Sequence, residues 1–277
     1  IPVDKIARYR REQAAELQMA PYLGTYFYRL NTTRAPLNDQ RVRRALSLSI
    51  DRAILVEKIT QGGQLPAYAL TPPDTQGYYP PDQDPQYDTA LARQLLAEAG
   101  YPNGEGFPAL ELLYNTSEGH RRIAVAIQQM WKQVLNIDID LFNLDWKVFL
   151  TRSKSLDYDI ARASWIGDYP DPNTFLDMMV TDGGNNGTGW SNPVYDALIA
   201  DAARTLDRDK RYATFSRAEK ILSQQSPLIP IYTYTRNYLK HTEVQGWYDN
   251  ILDHHPYKYV YLERPASTET TSGKATR

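Results

Sequence analysis

Two aspartates, Asp168 and Asp171, stand three residues apart in the stretch ARASWIGDYPDPNTF at 161–175, where an apolar run meets a turn studded with prolines. Two carboxylates could serve as the acid and base of a glycosidase, or help to hold a calcium ion. The calcium reading requires D-x-[DN]-x-[DN]-G, which this stretch does not contain. A carboxylate-dependent hydrolase remains open on residue types alone. So does a plain structural role, in which Asp168, ahead of Tyr-Pro, caps the turn or helix that begins near Pro172.

Other reactive constellations are missing. There is no cysteine, which removes thiolate nucleophiles, thiolate zinc sites and disulfides. Neither G-x-x-x-x-G-K-[ST] nor G-x-G-x-x-G occurs, and GGNNGTG at 183–189 lacks the lysine and preceding strand of a phosphate loop, so a flexible loop is expected there. Of the four histidines, His254 and His255 are adjacent; on a strand they would point to opposite faces and not share one metal. No metal and no cofactor are expected. The sequons at Asn31, Asn115 and Asn186 read as chance matches in a polar chain.

The elements that must position these residues follow from composition and periodicity. The 277 residues are 42% hydrophobic and 23% charged, enough for a substantial core. Net charge is −2 with both signs interspersed, which argues against nucleic acid and anionic membranes as partners. The start, Ile1-Pro2-Val3-Asp4, has no basic or apolar leader and reads as a cut; the polar residues 267–277 read as a disordered tail. Twenty-one tyrosines cluster in alternating runs, at 26–28, 232–234 and 257–261, that predict strands.

Asn38 is placed as the N-cap of a helix over 39–49, and Asp88 as that of a helix over 89–99 closed by Gly100. From Pro108 the pattern alternates: strand 109–114, helix 119–134, strand 137–142, helix 145–153, strand 158–165, which is βαβαβ spacing. Ile123, Ile127, Met130, Trp131 and Val134 form the buried stripe of the long helix. Helices are expected at 173–180, 193–203 and 207–223, then a strand at 228–234. The segment 71–86, with five prolines, is expected to be an irregular surface loop.

Four segments carry a resemblance: PLNDQRVRRALSLSIDR at 36–52, LLYNTSEGHRRIA at 112–124, DWKVFL at 145–150 and ARASWIGDYPDPNTFL at 161–176. In this order and spacing the chain resembles the C-terminal part of the solute-binding proteins of peptide ABC importers, the oligopeptide- and dipeptide-binding family, in its oligopeptide branch. The resemblance implies an α/β fold: a periplasmic-binding-protein-like lobe with a mixed sheet flanked by helices, plus a C-terminal segment of the other lobe. Residues 1–21 would end the first lobe, 22–235 form the second ligand-binding lobe, 236–265 return into the first, and 266–277 form the tail. Strands at 24–30 and 231–235 would act near the hinge, and the return segment would leave strand edges and aromatics uncovered without its N-terminal partner.

By the same resemblance Asp168 pairs with a ligand α-ammonium, and the strand Ser164, Trp165, Ile166 and Gly167 pairs with peptide backbone. Arg162 matches an arginine that meets ligand carboxylates, and His120 a histidine that meets the C-terminus of longer peptides. Trp146, Asn115 and Tyr234 match cavity-lining positions. A further family arginine falls at Ser153, with Arg152 one place earlier. The positions where some relatives carry cysteine are Gly24 and Ile166, and Arg29 replaces an acid. From the residues alone, Arg162 and His120 are solvated surface groups and the tryptophans are core.

The resemblance implies a non-enzymatic binder, periplasmic or otherwise extracytoplasmic, or tethered through an N-terminus outside this sequence. Its partners would be a short peptide, the membrane permease of an importer, and the missing N-terminal lobe, with no nucleic acid. The same fold also serves binders of dipeptides, murein peptides, nickel complexes and sugars.

Overall fold

The computed structural model describes residues 1–82 and 86–263. A helix, α1 (Val3–Glu12), leads into the longest strand, β1 (Leu17–Leu30). In β1 the run Tyr26-Phe27-Tyr28 sends the tyrosines to one face and the phenylalanine to the other, and all three are buried. Next come α2 (Gln40–Leu48), α3 (Arg52–Ile54) continuing into a π turn, and the short β2 (Leu65–Pro66). After α4 (Thr89–Glu98) the chain alternates as its periodicity predicts: β3 (Leu110–Asn115), α5 (Glu118–Leu135), β4 (Ile139–Leu144), α6 (Trp146–Lys154) and β5 (Ile160–Ile166). It ends through α7 (Asn173–Leu176), α8 (Pro193–Arg204), α9 (Arg208–Gln225), β6 (Leu228–Leu239), β7 (Val244–Gln245) and β8 (Tyr261–Leu262).

Six strands form one mixed sheet in the order β2-β6-β1-β5-β3-β4. The strands β3, β4 and β5 are parallel, joined through α5 and α6, while β1 runs antiparallel to both β5 and β6. Helices α2, α4 and α5 cover one face, where Tyr26, Tyr28, Leu112 and Ile160 meet Leu46, Leu96 and Trp131. Helices α7, α8 and α9 cover the other, with Phe27 and Ala163 against Phe175, Tyr195 and Phe215. A smaller cluster of Leu113, Phe149, Tyr158 and Ala161 sits under α6. This is the α/β architecture expected, a mixed sheet flanked by helices. Among the described residues no helix is long and apolar enough to cross a membrane.

Several expectations shift. Asp39, not Asn38, caps α2 by accepting from the Arg41 N–H at 2.8 Å. The helix expected over 173–180 divides into α7 and a 3-10 turn, Asp177–Met179. The tyrosine alternation at 257–261 becomes a 3-10 turn, Tyr257–Tyr259, before the two-residue β8. Its rings are exposed on both sides, so burial fixes no strand register there. The 183–189 loop is clamped by Asn186, whose amide donates to the carbonyls of Met179, Val180 and Trp190. The segment from 71 is irregular, as expected, but Thr71, Thr75 and Tyr78 are buried. The tail at 266–277 lies outside the described residues.

The strands β1 and β6 pass through residues 22 and 235 without interruption. Their register slips between Pro21 and Thr25, where β1 carries two extra residues. In that bulge the Leu23 carbonyl accepts from Gly167 at 2.8 Å, and its N–H donates to the Ile251 carbonyl at 2.8 Å.

Candidate ligand-binding site

Parallel strands end at a common edge, and in open α/β sheets that carboxyl edge is where ligands settle. Asn115 ends β3, Trp146 opens α6 directly beyond β4, and Ser164 to Asp168 complete and follow β5. His120 lies in the first turn of α5. Tyr234 reaches the same edge because β5 and β6 both run antiparallel to β1, with Ser164 and Tyr232 both opposite Tyr26.

The two aspartates separate in role. Asp171 is held by Arg211, whose Nη1 and Nη2 donate to its carboxylate at 2.5 and 2.8 Å, and it accepts the Asn173 N–H at 2.9 Å. It makes the turn contact that the structural alternative gave to Asp168. Asp168 is exposed and gives its backbone N–H to Thr174 Oγ1 at 3.1 Å. Among the described residues its carboxylate has no hydrogen-bond or ion-pair partner. Burial, followed by the Asp168 charge, pushes the nearby Asp177 carboxyl up.

The strand leading to Asp168 has a free edge. β5 pairs with β1 over its whole length, but with β3 only at Ile160 and Ala161. Beyond that point β3 diverges, so among the described residues the far edge from Arg162 to Ile166 has no strand partner. Close backbone approach anchors the paired edge: a Cβ on Gly24 would lie 2.4 Å from Ile166 Cδ1 and 3.1 Å from the Trp165 carbonyl.

Arg162 sits in a cradle of tyrosines. Its Nη2 donates to the Tyr234 hydroxyl at 3.1 Å and its Nη1 to Asn115 Oδ1 at 3.4 Å, while its guanidinium carbon lies 4.9 Å from the Tyr26 ring centre. Its Nε is buried without a partner, and among the described residues no carboxylate pairs with it. Burial opposes the Arg162 charge, but Tyr26, Tyr234 and Tyr232 outweigh it and move its pKa upward. His120 Nδ1 is 3.4 Å from the Tyr26 hydroxyl. Burial, helped by the Arg162 charge, pushes its pKa down to about 3 and leaves a neutral imidazole.

Arg162, His120, Asn115 and Tyr234 therefore meet in one cluster, with Ser164 and Ile166 on the same strand face as Arg162. Arg152 is elsewhere: it pairs with Glu111 and Asp157, each at 3.0 Å, on α6, whose Phe149 packs against Ala161 on the opposite face of β5. Trp165 also faces away, packed against the second core with its buried Nε1 unpartnered. Trp146 is half exposed and stacks on Phe149, ring centres 5.7 Å apart.

Tyr234 lines a cavity of about 820 Å³ together with Tyr22, Pro170 and the segment 72–79. His120 lines one of about 360 Å³ with Ser117 and Tyr232. Sequence reading missed Tyr26, Tyr232 and this segment. The matched alternation at 26–28 and 232–234 was the available signal for the two tyrosines.

Comparison with known proteins decides the family. The model of the bacterial extracellular solute-binding proteins, family 5 (middle), matches residues 1–187. The chain belongs to this family. It is 35% identical over 268 residues to the periplasmic oligopeptide-binding protein OppA of Salmonella typhimurium, an alignment that covers 95% of this chain and 48% of that protein. It is 39% identical over 252 residues to the periplasmic murein peptide-binding protein MppA of Escherichia coli, covering 89% and 47%. The solved structure of the Escherichia coli murein tripeptide-binding protein MppA superposes with a TM-score of 0.87 at 37% identity, over 95% of this chain and 52% of that one. The chain thus spans about half the length of the curated family members it matches.

Proposed function

We propose that this chain carries one wall of a peptide-binding site in the extracytoplasmic solute-binding component of an ABC importer. The observation that carries the reading is the unpartnered Asp168 carboxylate at the end of a strand with a free edge. Such an edge accepts an extended backbone by strand addition, independent of side-chain identity, and the carboxylate takes the one charge that every unmodified peptide offers at its start. Arg162, a cation cradled by phenols without an acid, suits a ligand carboxylate, with Asn115, Tyr234 and His120 around it. Arg152, already paired, is left out of the site.

In this reading residues 22–235 belong to the ligand-binding lobe, 1–21 and 236–265 to the first lobe, and the whole protein closes on peptide and is recognised by a permease. The periplasmic placement of the relatives, by their names, supports an extracytoplasmic location. The reading involves no turnover. A hydrolase built on Asp168 and Asp171 is disfavoured because Arg211 already engages the second acid.

Calorimetric titration of the full-length protein with an unmodified tripeptide and its N-acetylated twin tests the assignment. Binding of the free peptide, lost on acetylation and in Asp168→Asn, with the peptide recovered intact, is the expected result. Equal affinity for both peptides, or none for either, would overturn it.

A further inference from the structure

A carboxylate outside this site is placed to control the shape of the large cavity. Glu219 lies in α9, is 1% exposed and shares the helix's buried residues with Phe215, Ala218 and Leu222 of the second core. Its Oε1 accepts the Thr71 N–H and its Oε2 the Tyr78 hydroxyl, each at 2.8 Å. Those donors stand just before and near the end of the segment 72–79, which gives Pro72, Pro73, Asp74, Gln76, Gly77 and Tyr79 to the cavity wall.

The segment is not at rest by its own backbone preferences. Asp74 and Gln76 hold left-handed φ of 61° and 52°, beside Gly77 at 81°. Conformations of this kind in non-glycine residues persist only where surrounding contacts enforce them. Two anchors are exposed, the bonds from Arg208 and Tyr212 to the Gln76 carbonyl. Two buried bonds converge on Glu219, beside a third inside the segment from Thr75 Oγ1 to the Pro72 carbonyl.

We propose that Glu219 is the positioning residue of this cavity wall, a buried latch that fixes the 72–79 segment through Thr71 and Tyr78. The inference deepens the peptide reading by naming what sets one wall of the space beside Tyr234. Tyr78 faces the carboxyl from the segment and Tyr195 from α8. Arg44, Arg52, Asp82 and the neighbouring Lys220 line a cavity of about 130 Å³ with it.

Burial pushes the Glu219 carboxyl up to about 7, against the bonds from Thr71 and Tyr78. An acid whose pKa is raised in the closed arrangement favours that arrangement while protonated. As pH rises from the ordinary carboxylate range through about 7, the ionised group gains by reaching water, and the latch loosens.

Hydrogen exchange of the ligand-free protein between pH 5 and 8, corrected for intrinsic amide rates, reads this directly. Exchange across 71–79 should rise at least tenfold in the wild type and stay flat in Glu219→Gln. Tyr78→Phe, which keeps the ring packed on Tyr212 and Phe215 and removes one bond, should raise exchange there severalfold at pH 5. The β1 amides at 25–30 should remain protected throughout. A flat wild-type profile, the same rise in Glu219→Gln, or an equal rise in β1 would overturn the proposal. Because no ligand is present, failure here leaves the Asp168 assignment standing, and the converse holds.

Discussion

Around Arg162 the chemistry of single residues is set by what is not nearby. Among the described residues, a guanidinium cradled by phenols keeps its charge with no acid beside it, and burial, helped by that charge, holds His120 neutral. A neutral imidazole can accept a hydrogen bond from the Tyr26 hydroxyl at Nδ1, which a protonated ring cannot. The sign of the pH effect follows. With its pKa lowered in the fold, His120 costs stability as pH falls from 6.5 toward 3, because the unfolded chain takes up a proton that the folded one refuses. Imidazole resonances of His120 should therefore show no titration between pH 5 and 8. Urea midpoints at pH 7 and 4.5 should fall further apart in the wild type than in His120→Gln; equal differences would remove His120 from the acid sensitivity.

The elements bring these groups together because three parallel strands end at one edge, and that much was legible in the sequence. Period-two and period-3.6 patterns from Pro108 onward specify the βαβαβ unit, and with it the neighbourhood of Asn115, Trp146 and Asp168. Sequence reading fails where a pattern lacks a partner to act upon: the tyrosines at 257–261 alternate, yet little packs against them, and a 3-10 turn forms instead. It fails also at Arg152, since linear spacing does not say which face of β5 a residue on α6 will meet. The turn contact near Pro172, the structural alternative open to Asp168 in the sequence, falls to Asp171, which accepts the Asn173 N–H and is held by Arg211 from forty residues away, a partner no local pattern announces. Gly24 has an element-scale role that spacing alone did not reveal. Gly24→Ala puts a methyl against the movable Ile166 tip but also against the Trp165 carbonyl and the Tyr234 ring at 3.1 Å. Crowding of this kind costs about 1–3 kcal/mol, so the urea midpoint should fall with an unchanged m-value. An unaltered midpoint would show that β1 and β5 can separate at no cost.

At the scale of the molecule, the proposed site is, among the described residues, an open wall. Asp168 is exposed, Ile166 is 37% and Trp146 50% exposed, and Tyr257, Tyr259, Tyr261 and Leu262 offer further apolar surface. Under the peptide reading, the strength of the ammonium–carboxylate contact depends on that openness. An exposed ion pair is worth about 0–1 kcal/mol, whereas coupling energies of close charge pairs inside an interface run from about 1.5 to 7. A gain of about 3 kcal/mol on closure corresponds to about a hundredfold in affinity. Under the peptide reading, the 277-residue chain alone should bind an unmodified tripeptide at least about a hundredfold more weakly than a protein that also carries the other half present in its relatives, and the gap should shrink for the N-acetylated twin. Calorimetry on both proteins under one buffer decides it. Equal affinities would mean that the strand edge and Asp168 suffice alone, and that the other half adds nothing to capture of the peptide.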